Sequence, residues 1–290
     1  MDKFVVAAVG AAAAAALIVR ARRRARCVQL PGFIDLQLNG YLGVDFSSEQ
    51  LTREQCNETL HALLAKGGAL AIVPTVITSS LAAYEHTLPM LADAIEDPQF
   101  EGRLLGIHME GPFLSPEPGA IGAHPVEHTV NPCDGGIALL DRWQALARGH
   151  LIVMTIAAER PGAAELTAHA VSKGLTISLG HHLARAEHIK ACADAGATLL
   201  THLGNGCPGQ IDRHANHIWP SLADDRLTAM LITDGQHLPP EAIRTMVLAK
   251  GVRRTIITSD VSPLGDVTTS VTTFVTTSVT ARSSPRTSPR

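Results

Sequence analysis

Leu105-Gly106-Ile107-His108-Met109-Glu110-Gly111-Pro112 reads as a buried strand that stops abruptly on a carboxylate. A Glu at such a place is expensive to bury alone. Three further apolar runs end in the same manner: Ile177 to Gly180 leads into His181-His182, Thr198 to Thr201 into His202, and Thr255 to Thr258 into Ser259-Asp260. Two carboxylates and two imidazoles are thus offered at strand C-termini, which in a parallel α/β barrel converge on the face that carries chemistry.

From Pro31 to Asp260 the chain alternates short apolar runs with helical patterns, the signature of βα units around a parallel sheet. Strands are predicted over 33–38, 69–76, 104–109, 151–157, 175–179, 198–202, 227–232 and 255–259. Helical spacing of apolar residues predicts helices over 52–65, 80–95, 136–147, 163–172, 184–195 and 240–249. Residues 203–225 read as a long irregular connection rich in Gly, Pro, His and Asn, of the kind that carries function at a barrel's active face. An open doubly wound sheet is the alternative, but no GxGxxG or Walker sequence supports a nucleotide site in it. The expected fold is therefore α/β, a TIM-like (β/α)8 barrel over 27–266.

Composition is consistent with this. A chain of 290 residues with 46% hydrophobic content can bury one such core. Aromatics are only 3%, so Ala, Val, Leu and Ile must fill it. A formal charge of −3 gives no global reason to expect nucleic-acid binding. Five scattered cysteines (Cys27, Cys56, Cys133, Cys192, Cys207), without CxxC spacing, read as reduced thiols of a cytoplasmic protein.

The two ends differ from the middle. Residues 1–26 are apolar and Ala-rich from Phe4 to Val19, then Arg-rich. The apolar run falls short of the roughly 20 residues of a spanning helix, Ala partitions weakly into lipid, and a secretory signal carries its positive charge before the apolar run. Membrane association is not expected. Residues 267–290, a Thr/Ser/Val repeat closing in Ser-Pro-Arg units, lack the amphipathic pattern of a barrel's last helix. A low-complexity tail with few packing contacts is expected there.

Glu110, His181 and His202 make a mixed oxygen and nitrogen set suited to zinc or a similar divalent ion. Three protein ligands leave one position open for a water whose pKa falls toward about 7, and Asp260 is placed to accept its proton. Singly, each His reads as a hydrogen-bonded core or surface residue. Together on one face they read as ligands. His182 stays ambiguous, because successive residues leaving a strand point to opposite sides. Many metal-dependent barrel hydrolases carry His-x-His on the first strand for a second ion, whereas here those positions read Gln37-Leu38-Asn39. Amides are weak ligands beside imidazole, so one metal is favoured; the bland alternative for the amides is to satisfy buried backbone groups.

Three loops add polar groups. Gly204 to His214, GNGCPGQIDRH, combines glycines that free backbone N–H groups with Arg213, the composition of an anion cradle or of an ordinary turn-rich loop. Thr233-Asp234-Gly235-Gln236-His237 follows the seventh strand, and Gly122-Ala123-His124-Pro125 follows the third, where His124 could polarise a carbonyl.

PGFIDLQLNG (31–40), GIHMEGPF (106–113), GAHP (122–125), SLGHH (178–182), THLGNG (201–206), ITDGQH (232–237) and ITSD (257–260) together resemble N-acetylglucosamine-6-phosphate deacetylases of the amidohydrolase superfamily. The resemblance implies Glu110, His181 and His202 as ligands of one divalent metal, zinc, and Asp260 as general base and later acid. It implies that Ala123, His124, Asn205, Gly206, Arg213 and Asp234, Gly235, Gln236 and His237 surround an amino-sugar phosphate, with Arg213 reaching across a homodimer interface. Water activated at the metal would attack the acetamide carbonyl, His124 and the metal would stabilise the oxyanion, and Asp260 would protonate the leaving amine.

Three departures stand beside the resemblance. The family's N-terminal β-sandwich strands are replaced by the Ala- and Arg-rich segment, the GNGCPGQIDRH loop differs from the commoner Tyr-Asn-Ala-Met form, and the region after Asp260 is replaced by the repeat. A truncated or frame-shifted gene would produce this pattern. Other readings are an amidohydrolase acting on a cyclic amide or an unphosphorylated acetamido sugar, and an inactive remnant.

Overall fold

The computed structural model describes residues 32–66 and 68–265. Expectations for the Ala- and Arg-rich start, for the repeat and for a missing last helix fall on residues outside these. Eight parallel strands form one sheet in chain order: β1 (Phe33–Leu38), β4 (Ala69–Ile77), β5 (Ile107–Glu110), β6 (Leu151–Ile156), β7 (Thr176–Leu179), β8 (Leu199–Leu200), β9 (Thr228–Ile232) and β10 (Thr255–Thr258). Each coincides with a run read as a strand, β4 and β5 ending one residue beyond it. An antiparallel pair, β2 (Gly40–Tyr41) and β3 (Val44–Asp45), was not legible, since two-residue strands carry no period.

Among the described residues the α-helices are α1 (Arg53–Lys66), α2 (Leu81–Glu96), α3 (Gly136–Leu146), α4 (Ala163–Ser172), α5 (Ala186–Asp194), α6 (Ile218–Ala223) and α7 (Pro240–Lys250). Six occupy the predicted positions. The exception is α6, a short helix inside the connection read as irregular.

Closure joins β10 to β1. The Asp260 N–H donates to the Gln37 carbonyl at 3.0 Å and the Asn39 N–H to the Val261 carbonyl at 2.8 Å, and Leu38 and Val261 form a parallel bridge. A side chain reinforces the seam: the Asp35 carboxylate accepts from Thr258 Oγ1 at 2.7 Å and from the Ser259 N–H at 3.1 Å. Burial pushes the Asp35 carboxyl above its usual range despite these bonds. The architecture is a nearly closed (β/α)8 barrel.

Strand alternation sorts the side chains into two cores. Ile107 and Met109 of β5, Ile177 and Leu179 of β7, and Ala229 and Leu231 of β9 join the large core against the helices, where Trp143 packs on Tyr84 and Phe113. The opposite faces supply a small apolar cluster of Val153, Leu199 and Met230, with Leu36 and Ile256 against it. His108, Thr155 and Ser178 share those faces and are fully buried.

Candidate active site

Three strand ends bring Glu110, His181 and His202 together, all buried. Glu110 Oε1 lies 3.2 Å from His181 Nε2 and 3.0 Å from His202 Nε2, and the two Nε2 atoms are 3.0 Å apart. His181 Nδ1 is 2.7 Å from the Ala120 carbonyl oxygen. That oxygen can only accept, so Nδ1 carries the proton and Nε2 of the neutral ring presents a lone pair. That lone pair lies 3.2 Å from a carboxylate oxygen and 3.2 Å from His124 Nε2, an arrangement that could hold a cation. Ligands about 2.0–2.1 Å from a tetrahedral ion are about 3.3 Å from one another, close to the edges of this triangle.

His124 joins the cluster, with Nε2 at 3.2 Å from His181 Nε2 and 3.7 Å from Glu110 Oε2. Glu110, His124 and His181 also form a group whose donor atoms lie within 4.8 Å of one another. The tautomer distinguishes His124 from a ligand. Its Nδ1 accepts from the Thr78 N–H at 3.3 Å, so the neutral ring carries its proton on Nε2 and aims a donor into the site. Burial pushes His124 down to about 3, which keeps it neutral.

Two amides on β1 and just beyond it organise the carboxylates. Gln37 Nε2 donates to Glu110 Oε1 at 2.8 Å, and Asn39 Nδ2 donates to Asp260 Oδ1 at 2.7 Å. Each amide side chain thus holds one carboxylate, not only a backbone group. Their i, i+2 spacing was the available signal. Burial raises both acids, but the imidazoles crowded around Glu110, with His202 Nε2 at hydrogen-bond distance, reverse the sign there and hold it well below the usual range. At Asp260 burial, aided by the charge of Glu110, wins, and the carboxyl is pushed up to about 6. Two acids with separated affinities for the proton are the arrangement expected of unequal roles.

Backbone conformation at the strand ends is unusual. His181, His202 and Asp260 have φ of 50°, 27° and 50°, in the left-handed region that non-glycine residues avoid. Gly206 (φ +59°) approaches the His181 ring so closely that a Cβ would lie 2.9 Å from Nδ1, and Gly122 (φ +59°) would place one 3.1 Å from Cε1. Asn205 donates to the His202 carbonyl through its backbone N–H at 2.9 Å and its Nδ2 at 3.2 Å.

The remaining predicted residues lie further out. Ala123 is exposed, as are Arg213, Gly235, Gln236 and His237. The Arg213 carbonyl accepts from Trp219 Nε1 at 3.0 Å. Asp234 is occupied within its own turn, accepting from the Gln236 and His237 N–H groups at 2.8 and 3.0 Å and pairing with His237 Nδ1 at 2.8 Å. His182 is buried against His217, with ring centroids 5.2 Å apart, rather than against the Glu110 cluster.

No family model matches the chain. Among curated proteins it is 32% identical over 245 residues to N-acetylglucosamine-6-phosphate deacetylase of Caenorhabditis elegans, covering 81% of this chain and 57% of that protein. It is 29% identical to N-acetylgalactosamine-6-phosphate deacetylase of Escherichia coli, covering 81% and 60%. Its fold matches a mutant N-acetyl-D-glucosamine-6-phosphate deacetylase of Mycobacterium smegmatis, solved with N-acetyl-D-glucosamine-6-phosphate, at a TM-score of 0.72 and 29% identity, covering 81% and 58%. The chain thus spans 57–60% of the length of these relatives. By sequence and by fold, it belongs to the N-acetylglucosamine-6-phosphate deacetylase family.

Proposed function

We propose that the protein is a cytoplasmic hydrolase that cleaves the acetamide of N-acetylglucosamine 6-phosphate, giving glucosamine 6-phosphate and acetate. The observation that carries this reading is the Glu110–His181–His202 triangle, with edges of 3.0 to 3.2 Å and a lone pair of His181 directed at a carboxylate. These three residues would hold one divalent cation, zinc by the character of the donor set. When bound, the cation supplies Lewis acidity, activating water and polarising the acetamide carbonyl.

The chain's own residues do the rest. Asp260, steadied by Asn39, takes a proton from the attacking water and delivers it to the departing amine nitrogen, so one water is consumed for each acetate released. His124, neutral with its proton on Nε2, donates to the oxyanion as it forms. Gly206 and Asn205, which contact His181 and His202, would meet the sugar together with Ala123 and the Asp234–His237 turn, and Arg213 would bind the phosphate, reaching it from the partner in a homodimer. Free thiols at Cys56, Cys133, Cys192 and Cys207 accord with a reducing compartment, and no described helix is long and apolar enough to cross a membrane.

The test is metal analysis of the purified chain together with an acetate-release assay. Its substrates are the 6-phosphates of N-acetylglucosamine and N-acetylgalactosamine, and unphosphorylated N-acetylglucosamine. One bound metal per chain, lost in Glu110→Gln, and turnover that requires the phosphate support the reading. Absence of acetate release from metal-loaded protein refutes it.

A further inference from the structure

His108 is the one residue of the Gly106–Phe113 motif with a titratable side chain that the proposed reaction leaves without a role. It points into the barrel beneath the site and is fully buried. Its Nδ1 lies 3.0 Å from the Leu36 carbonyl oxygen and its Nε2 lies 2.7 Å from Thr155 Oγ1. From there the contacts continue: Thr155 Oγ1 to Thr201 Oγ1 at 2.7 Å, and Thr201 Oγ1 to Ser178 Oγ at 2.6 Å. Five strand regions, β1, β5, β6, β8 and β7, are joined by one row of buried polar atoms.

The carbonyl of Leu36 fixes the direction of the whole row. Because that oxygen only accepts, Nδ1 carries the proton of the neutral imidazole, and Nε2 must accept from Thr155. Thr155 Oγ1 then has no proton left for Thr201 and accepts from it, and Thr201 in turn accepts from Ser178. Each hydroxyl in the middle donates once and accepts once, which polarises its neighbours in the same sense.

The row also touches the neighbour of every proposed ligand. His108 is two residues before Glu110 on the same face of β5, and Thr201 immediately precedes His202. Gly180, which immediately precedes His181, is packed so tightly that a Cβ there would lie 2.7 Å from Thr201 Cβ and 3.3 Å from Thr155 Cγ2. We infer that His108, Thr155, Thr201 and Ser178 are positioning residues, a directed hydrogen-bonded layer that sets Glu110, His181 and His202 at the spacing a divalent cation requires. The inference rests on the ligand set proposed above.

Thr155→Val tests it, because it removes the central hydroxyl at nearly constant volume and leaves His108 Nε2 without its donor. Zinc affinity is measured by competition with a chromophoric chelator, with Thr155→Ser as the conservative rescue and the melting of metal-free protein as the control for folding. Outer partners of metal ligands typically change affinity by about 10- to 100-fold, and a loss in that range is expected for Thr155→Val, with Thr155→Ser within about threefold of the parent. Should Thr155→Val fail to fold, Ser178→Ala, which removes only the terminal donor, is expected to weaken zinc by about threefold or more. Zinc bound as tightly by Thr155→Val, or by Ser178→Ala in its place, as by the parent overturns the inference and leaves the ligand set standing. Equal losses in Thr155→Ser and Thr155→Val also overturn it. A parent protein that binds no zinc overturns the ligand set and this layer's role with it.

Discussion

Gly206→Ala isolates what the close approach of a loop does for His181. The added methyl meets His181 Nδ1 at 2.9 Å and Cε1 and Cγ at 3.1 Å, whereas ordinary contact begins at 3.4 Å. Relief therefore requires the ring to move by about 0.5 Å, the tolerance beyond which a metal site loses its geometry. Gly122 crowds the same ring edge, and movement there also stretches the Nδ1–H bond to the Ala120 carbonyl, now 2.7 Å. Two contributions follow: about 1 kcal/mol for an alanine at φ +59°, and about 1 kcal/mol for the weakened hydrogen bond. Metal-free protein should therefore lose about 2 kcal/mol in urea unfolding, with zinc affinity down about 10-fold or more. An unchanged unfolding midpoint together with unchanged zinc affinity would refute the view that this glycine is required for the fit around His181.

Other outcomes can be checked alongside. Asp260→Asn should retain the metal but lose about 10²–10⁴-fold in kcat; with Asp260 as the base, kcat/KM of the parent should fall as pH drops below about 6, where the carboxyl becomes protonated, and a bound cation moves that limb lower. Arg213→Ala should raise KM for the phosphorylated sugar by about 10- to 100-fold, from a charge-assisted bond of about 1.5–3 kcal/mol, and leave the unphosphorylated sugar unchanged. Asp35 carries a raised pKa in the folded state, so the folded chain holds the extra proton and this group's contribution is greatest below pH 3.8 and lost as pH rises through the folded value. Asp35→Asn, which keeps an acceptor for Thr258 and the Ser259 N–H, should flatten that segment of the stability–pH curve; an identical curve for parent and variant would contradict it.

The barrel was legible because β5 to β10 read as apolar runs at regular spacing, separated by amphipathic stretches. The ligand residues were legible because each ends such a run. Polar letters alternate inside the same runs, Ile-His-Met-Glu in β5 and Ile-Ser-Leu in β7, and mark the inner face. Their mutual contacts span 23 to 47 residues in sequence, which no local pattern reports. The roles of Gln37 and Asn39 were missed for the same reason: Asn39 meets Asp260 only when the barrel closes, 221 residues away. α6 escaped notice because six residues do not establish a helical period.

The left-handed backbones at His181, His202 and Asp260 also bear on how the molecule fails. Each costs about 1 kcal/mol, and all three sit where the strands have ended. The large core between sheet and helices has no such burden. On heating, the strand ends should open locally before the body of the barrel melts, and a bound cation should delay it. Amide exchange at residues 180–183 and 201–204 will then accelerate at temperatures where circular dichroism still records an intact barrel, so loss of catalytic competence will precede loss of fold.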